Sequence, residues 1–110
     1  MTPDYISINR DIWNADAENW TAFASERWAL ATPEWGCWGN PEEQLNMLPA
    51  DMSGLNAIEL GCGTGYVSAW MARRGARVTG VDISAGQLAT ARHLAAKHRA
   101  DITFIECNAE

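Results

Sequence analysis

Glu59-Leu60-Gly61-Cys62-Gly63-Thr64-Gly65 places three glycines at alternate positions, after the short apolar run Ala57-Ile58-Glu59-Leu60 and before an amphipathic stretch at 66–74. A strand, a glycine loop and a helix in that order let the backbone pass close to a ligand. A side chain at Gly61 or Gly63 would occupy that space or forbid the turn. In the helix, Val67, Trp70 and Met71 fall on one face, and Gly75 ends it. Further along, residues 77–81 read as a second strand ending at Asp82. Ser84-Ala85-Gly86-Gln87 forms a capping box, serine with glutamine three residues later, and starts a helix to about Arg99. Residues 102–105 read as a third strand. Such alternation predicts parallel strands joined by right-handed crossovers.

The fold class expected is therefore α/β: the N-terminal βαβαβ half of a doubly wound, Rossmann-like parallel sheet, preceded by a helical Trp-rich segment. Residues 1–54 form that helical and loop segment, a candidate cover for a ligand, and residues 55–110 the truncated half-sheet domain. Charge divides the chain in the same way. Residues 1–55 carry two basic residues against nine acids, and residues 56–110 six against five. Five of the six tryptophans (Trp13, Trp20, Trp28, Trp35 and Trp38) lie in the first part. There, Ala17, Trp20, Ala24, Trp28 and Ala31 recur at helical spacing, which predicts one helix over 16–30, ended by Thr32-Pro33. The Gly-, Pro- and Trp-rich stretch that follows reads as a loop. Asn40 then reads as the cap of a helix that buries Leu45 and Leu48 and stops before Pro49.

Composition excludes several classes. The 110 residues are 47% hydrophobic and 20% charged, ordinary for one small globular domain. No apolar run is long enough for a transmembrane helix, and the polar N-terminus does not read as a secretory signal. A net charge of −6 argues against autonomous nucleic-acid binding. Cys37, Cys62 and Cys107 are odd in number and lack a CxxC pair, so neither a disulfide framework nor a zinc site is expected, and a reduced, cytoplasmic setting is. His93 and His98 lie five apart, off the spacing that pairs two metal ligands on a helix, so no metal is expected.

The loop differs from a dinucleotide fingerprint, because Tyr66 stands where GxGxxG has its third glycine, and no Gly-Lys-Ser/Thr follows as in a P-loop. Two carboxylates sharpen it. Asp82, 17 residues beyond Gly65 at a strand's carboxyl end, can accept both hydroxyls of a ribose. Glu59 is an acid inside an apolar strand and needs a partner, either a ligand ammonium or backbone N–H groups of the loop.

In this order the residues resemble the class I S-adenosylmethionine-dependent methyltransferases. ELGCGTG at 59–65 is similar to that family's first motif, VDIS at 81–84 to its second, and ITFIECNAE at 102–110 to its third-strand motif. The resemblance covers about residues 55–110. It implies S-adenosyl-L-methionine as cofactor, with Gly61, Cys62, Gly63 and Gly65 leaving room for its methionine part. It also implies that Glu59 organises the loop and helps hold the amino group, and that Asp82 binds the ribose while Ile83 packs on adenine. Asn108 would stand near the adenine amino group, where the family often has Asp, and Ala109 would offer its backbone N–H. Cys62 is expected as a small filler rather than a nucleophile. Trp35 and Trp38, flanking Gly36 and Cys37, are candidates for covering the cofactor, since aromatic faces attract a sulfonium. No catalytic residue is singled out.

The implied strand order, 3-2-1-4, leaves the first strand without its usual neighbour, since the sequence ends before a fourth strand. A bare edge is then expected to be covered by oligomerisation or by a missing C-terminal half. The function expected is methyl transfer to a small-molecule acceptor. The alternative is a truncated, non-catalytic cofactor-binding or interaction module that uses the edge strand for docking.

Overall fold

A computed structural model describes residues 4–109. Its centre is a three-stranded parallel sheet in the order β3-β4-β5, built from β3 (Asn56–Leu60), β4 (Arg77–Asp82) and β5 (Ile102–Glu106). Glu59 pairs with Gly80, and Gly80 with Phe104, in a register that brings Leu60, Val81 and Ile105 level. The crossovers are α4 (Tyr66–Arg73) and α5 (Ala85–His98). α5 starts as its sequence dictates: Ser84 Oγ accepts from the Gln87 N–H at 3.2 Å. It ends on Arg99 in the left-handed region, with φ at 56°.

The upstream segment departs from expectation. The polar N-terminal stretch, for which no helix was expected, contributes from Asp4 onward the helix α1 (Asp4–Asp16). The single helix expected over 16–30 is instead a 3-10 turn (Ala17–Trp20) followed by α2 (Thr21–Ala29). Asp16 explains the break. Its carboxylate accepts from Asn19 Nδ2 at 2.6 Å and Trp20 Nε1 at 2.8 Å, closing a tight local turn that competes with a straight helix. Ala17, Ala24 and Trp28 are buried as their spacing predicts, but Trp20 remains 38% exposed and Ala31 lies beyond the helix.

The loop after α2 contains a small antiparallel pair, β1 (Glu34–Trp35) and β2 (Asn40–Pro41). Asn40 is therefore a strand residue opposite Trp35. The cap of α3 (Glu42–Leu45) is Pro41, and no side chain caps it. This helix has one turn, stops at Asn46 and leaves Leu45 exposed, while Leu48 is half-buried. Glu42 causes the early stop. Its buried carboxylate accepts from the N–H groups of Met47 (2.6 Å) and Leu48 (3.0 Å) and pairs with Arg74 at 3.1 Å, pulling the chain back on itself.

Two apolar clusters hold the layers. Ala24, Trp28, Ala69, Leu94 and Ala95 join α2 to α4 and α5, with Phe104 of β5 packed against them. Met52, Met71, Ala76 and Val78 fill the other end. Trp28 also donates from Nε1 to the Thr64 carbonyl at 2.8 Å, so α2 buttresses the glycine loop. Among the described residues β3 pairs with β4 alone, and Ile58 and Leu60 stay exposed along it. No helix among them is long and apolar enough to cross a membrane.

Candidate functional site

The carboxyl ends of β3 and β4 meet at a cavity of about 520 Å³. This is where open α/β sheets place ligands. The glycine loop forms one wall, Asp82, Ile83 and Gln87 another, and Asn108 and Ala109, after β5, a third. The structure thus brings Glu59, Gly61, Cys62, Gly63, Asp82, Ile83, Asn108 and Ala109 to one cavity. Glu110, the last residue of the third motif, lies outside the described residues.

Asp82 ties the loop to the second strand. Its Oδ2 accepts from Gly63 N at 2.8 Å and its Oδ1 from Ser84 N at 2.9 Å. A carboxylate offers about four acceptor positions, so each oxygen retains capacity toward the cavity. Cys62 N donates to the Val81 carbonyl at 2.9 Å, which extends the strand pairing into the loop.

Glu59 finds its partner in α4. One oxygen accepts from both Ser68 N (3.0 Å) and Ser68 Oγ (2.7 Å). Burial raises the carboxyl above its ordinary range; the Ser68 bonds oppose the rise and the nearby Asp82 adds to it. Burial also pushes the Cys62 thiol up to about 12, with Glu59 and Asp82 contributing. Its sulfur packs against Gly80, where an added Cβ would lie 3.0 Å from it. Burial against Gly80 and a raised thiol pKa both suit Cys62 to packing.

Gly65 behaves differently from Gly61 and Gly63. A Cβ on either of the latter would meet nothing within 4 Å. Gly65 does not line the cavity, and a Cβ there would lie 2.9 Å from Phe104 Cε1. It lets α4 pack close on the sheet, the role that a dinucleotide fingerprint assigns to its third glycine.

The tryptophans expected to cover the cavity do not. Trp38 is 87% exposed, and Trp35 packs edge-on against Trp70 with ring centroids 5.2 Å apart. Neither lines the cavity. Trp13 and Trp20 do, with Ile6 and Asn9. A cover from the upstream segment was expected, but through Trp35 and Trp38; these four residues were not singled out for it, although Ile6, Asn9 and Trp13 recur at the spacing of a helix face. Sequence reasoning also missed Tyr66, Thr64 and Gln87 as wall residues. His98 stacks on Trp28, with centroids 5.6 Å apart, and does not line the cavity. Among the described residues no group of three or more His, Cys, Asp or Glu side chains could hold a metal ion.

Comparison with known proteins supports the same region. A family profile described as a methyltransferase domain matches residues 57–110. The chain is 29% identical to a ubiquinone biosynthesis O-methyltransferase of Alkalilimnicola ehrlichii, over 98% of this chain and 45% of that protein. The fold is shared with magnesium protoporphyrin IX methyltransferase of Synechocystis with bound SAM (TM-score 0.64, 23% identity, 97% of this chain and 56% of that one). It is also shared with the [4+2]-cyclase SpnF (TM-score 0.65, 22% identity, 90% of this chain and 41% of that one). The chain thus spans less than half the length of the ubiquinone relative.

Proposed function

We propose, because the chain belongs through residues 57–110 to the class I S-adenosylmethionine-dependent methyltransferases, that its cavity holds S-adenosylmethionine for methyl transfer to the oxygen of a small-molecule acceptor. One observation carries the reading: Asp82 and Glu59 stand at the ends of adjacent parallel strands around a glycine loop, and Asp82 is bonded to Gly63 N at 2.8 Å. The donor set suits the cofactor. Asp82 accepts the ribose hydroxyls on its remaining lone pairs, Glu59 faces the ammonium, and the open sides of Gly61 and Gly63 admit the methionine chain. Ile83 packs on adenine, Asn108 accepts from its amino group and Ala109 offers its N–H. Cys62 contributes backbone, and Gly65 contributes packing.

Bound there, S-adenosylmethionine supplies a methyl group already activated by its sulfonium. What the chain adds is position and exclusion of water. In this reading residues 55–110 are the first half of the cofactor domain, and residues 1–54 supply the cover (Ile6, Asn9, Trp13 and Trp20) and the Trp28 buttress. The oxygen acceptor is suggested by the name of the ubiquinone relative.

The test is a melting series with S-adenosylmethionine, S-adenosylhomocysteine, NAD and ATP. At a hundredfold excess over Kd, the first two raise stability by about 2.7 kcal/mol and the others leave it unchanged. Stabilisation by NAD without S-adenosylhomocysteine contradicts the reading. A second reading, a cofactor-binding module without transferase activity that docks through β3, is favoured by the exposed Ile58 and Leu60 on that edge. Shared fold does not dictate chemistry, as the cyclase illustrates. Release of S-adenosylhomocysteine in the presence of phenolic acceptors separates the two readings.

A further inference from the structure

α1 walls the cavity with Ile6, Asn9 and Trp13, yet it has no buried residue, and Tyr5, Ile8 and Ile12 are each more than half exposed. Apolar packing alone is a weak hold for such a helix, so its seat over the cavity needs another fastening. One such fastening is at its C-terminal end. Asn14 Oδ1 accepts from Ser84 Oγ at 2.6 Å and from Gly86 N at 3.1 Å. The donor directions are fixed by chemistry. The Gly86 N–H can only donate, and Ser84 Oγ already accepts from Gln87 N, so it gives its own proton to Asn14.

Gly86 supplies an independent observation. It lies in the first turn of α5, and its φ is not in the positive range that glycine alone adopts readily. Glycine in a helix is destabilising relative to alanine, so something other than backbone conformation accounts for it. A Cβ at Gly86 would lie 2.9 Å from the Ala17 Cβ, and Ala17 is buried immediately after α1. The missing side chain is what allows the end of α1 to seat on α5.

The seat leads straight to the ligand wall. Ser84, which donates to Asn14 from its hydroxyl, donates from its N–H to Asp82 Oδ1, and Asp82 holds Gly63. We infer that Asn14 is a positioning residue: it fastens α1 to the first turn of α5 so that Ile6, Asn9 and Trp13 stay closed over the bound cofactor. The inference rests on the reading of this cavity as an S-adenosylmethionine site.

The experiment measures the Kd of S-adenosylhomocysteine for the wild type, Asn14→Ala, Asn14→Asp and Gly86→Ala, with hydrogen exchange over residues 4–16 in the unliganded proteins. Asn14→Ala removes both hydrogen bonds and weakens binding about fivefold, with faster exchange in α1. Asn14→Asp keeps an acceptor oxygen in place, beside a helix N-terminus that favours negative charge, and restores affinity to within about twofold. Gly86→Ala wedges the same junction open and weakens binding about as much as Asn14→Ala. The double variant Asn14→Ala/Gly86→Ala is no weaker than the weaker single one, because both break one junction. Wild-type affinity in Asn14→Ala or in folded Gly86→Ala overturns the inference, and so does an Asn14→Asp as weak as Asn14→Ala while melting like the wild type. Failure of the wild type itself to bind overturns the cofactor reading, and this inference with it.

Discussion

Gly63→Ala and Gly65→Ala sit two residues apart in the same loop and are expected to fail in opposite ways. Both glycines have positive φ, 55° and 82°. An alanine held there costs about 1–2 kcal/mol, offset by roughly 0.4–1 kcal/mol through the stiffer unfolded chain. For Gly63 that is nearly the whole cost to stability, about 1 kcal/mol, because the added methyl meets nothing within 4 Å. The methyl instead enters space beside the cavity that the proposed methionine chain requires. For Gly65 the methyl lies 2.9 Å from Phe104 Cε1 and 3.4 Å from the Ala91 Cβ, so overpacking adds about 1–3 kcal/mol. The sum of about 2–4 kcal/mol lowers Tm by roughly 10 °C or more in a domain of this size. Thermal melting and the Kd of S-adenosylhomocysteine, measured side by side, separate the two. Gly63→Ala loses at least tenfold in affinity with a small change in Tm, while Gly65→Ala loses Tm and, where folded, retains more of its affinity. A Gly63→Ala protein that binds as the wild type, or a Gly65→Ala protein more stable than Gly63→Ala, refutes the reasoning.

The remaining predictions concern the supports of the loop. Ser68→Ala removes the 2.7 Å bond from its buried hydroxyl to Glu59 and costs about 2 kcal/mol in urea denaturation, whereas a change under 0.5 kcal/mol would mean that the hydroxyl contributes little. Trp28→Phe leaves the Thr64 carbonyl without its indole donor and costs about 2–3 kcal/mol; an unchanged melting temperature would contradict the buttress. Glu59 has a raised pKa in the folded protein, so the folded chain holds a proton that the unfolded chain has released. Its contribution to stability therefore falls as pH climbs from about 4.5 through the raised value, and is flat above it. A ligand ammonium favours the ionised form, so affinity for S-adenosylhomocysteine rises over that same window. Glu59→Gln flattens this rise, and a wild type whose affinity does not rise as pH climbs above about 4.5 counts against the contact.

The βαβαβ half was legible because its signals are local. The alternation of apolar runs, the glycine loop and the Ser84–Gln87 cap each lie within a few residues, and the structure joins them as written. Asp82 was legible as a strand-end carboxylate, but its hold on Gly63 N was not, since that bond spans a crossover. The segment before β3 was harder for the same reason. Glu42, an acid near the start of the expected helix, gives no local sign of burial; its partner Arg74 lies far along the chain. α1 presents only Ile6, Asn9 and Trp13 to the cavity and leaves Ile8 and Ile12 exposed, so its pattern of apolar residues marks no single buried face. Composition alone could not decide which tryptophans cover the site. Trp35 and Trp38 lie on a β-paired loop that turns one ring to Trp70 and the other to solvent, while the Asp16 bond to Trp20 shapes the turn beside Trp13.

The central claim is that this cavity binds S-adenosylmethionine through Asp82. Calorimetric titration of S-adenosylhomocysteine into the wild type and Asp82→Ala, each first shown to melt cooperatively, tests it most directly. The account predicts saturable binding with one site per chain, abolished in Asp82→Ala. A folded wild type that takes up no S-adenosylhomocysteine, or a folded Asp82→Ala that binds it equally well, contradicts the claim.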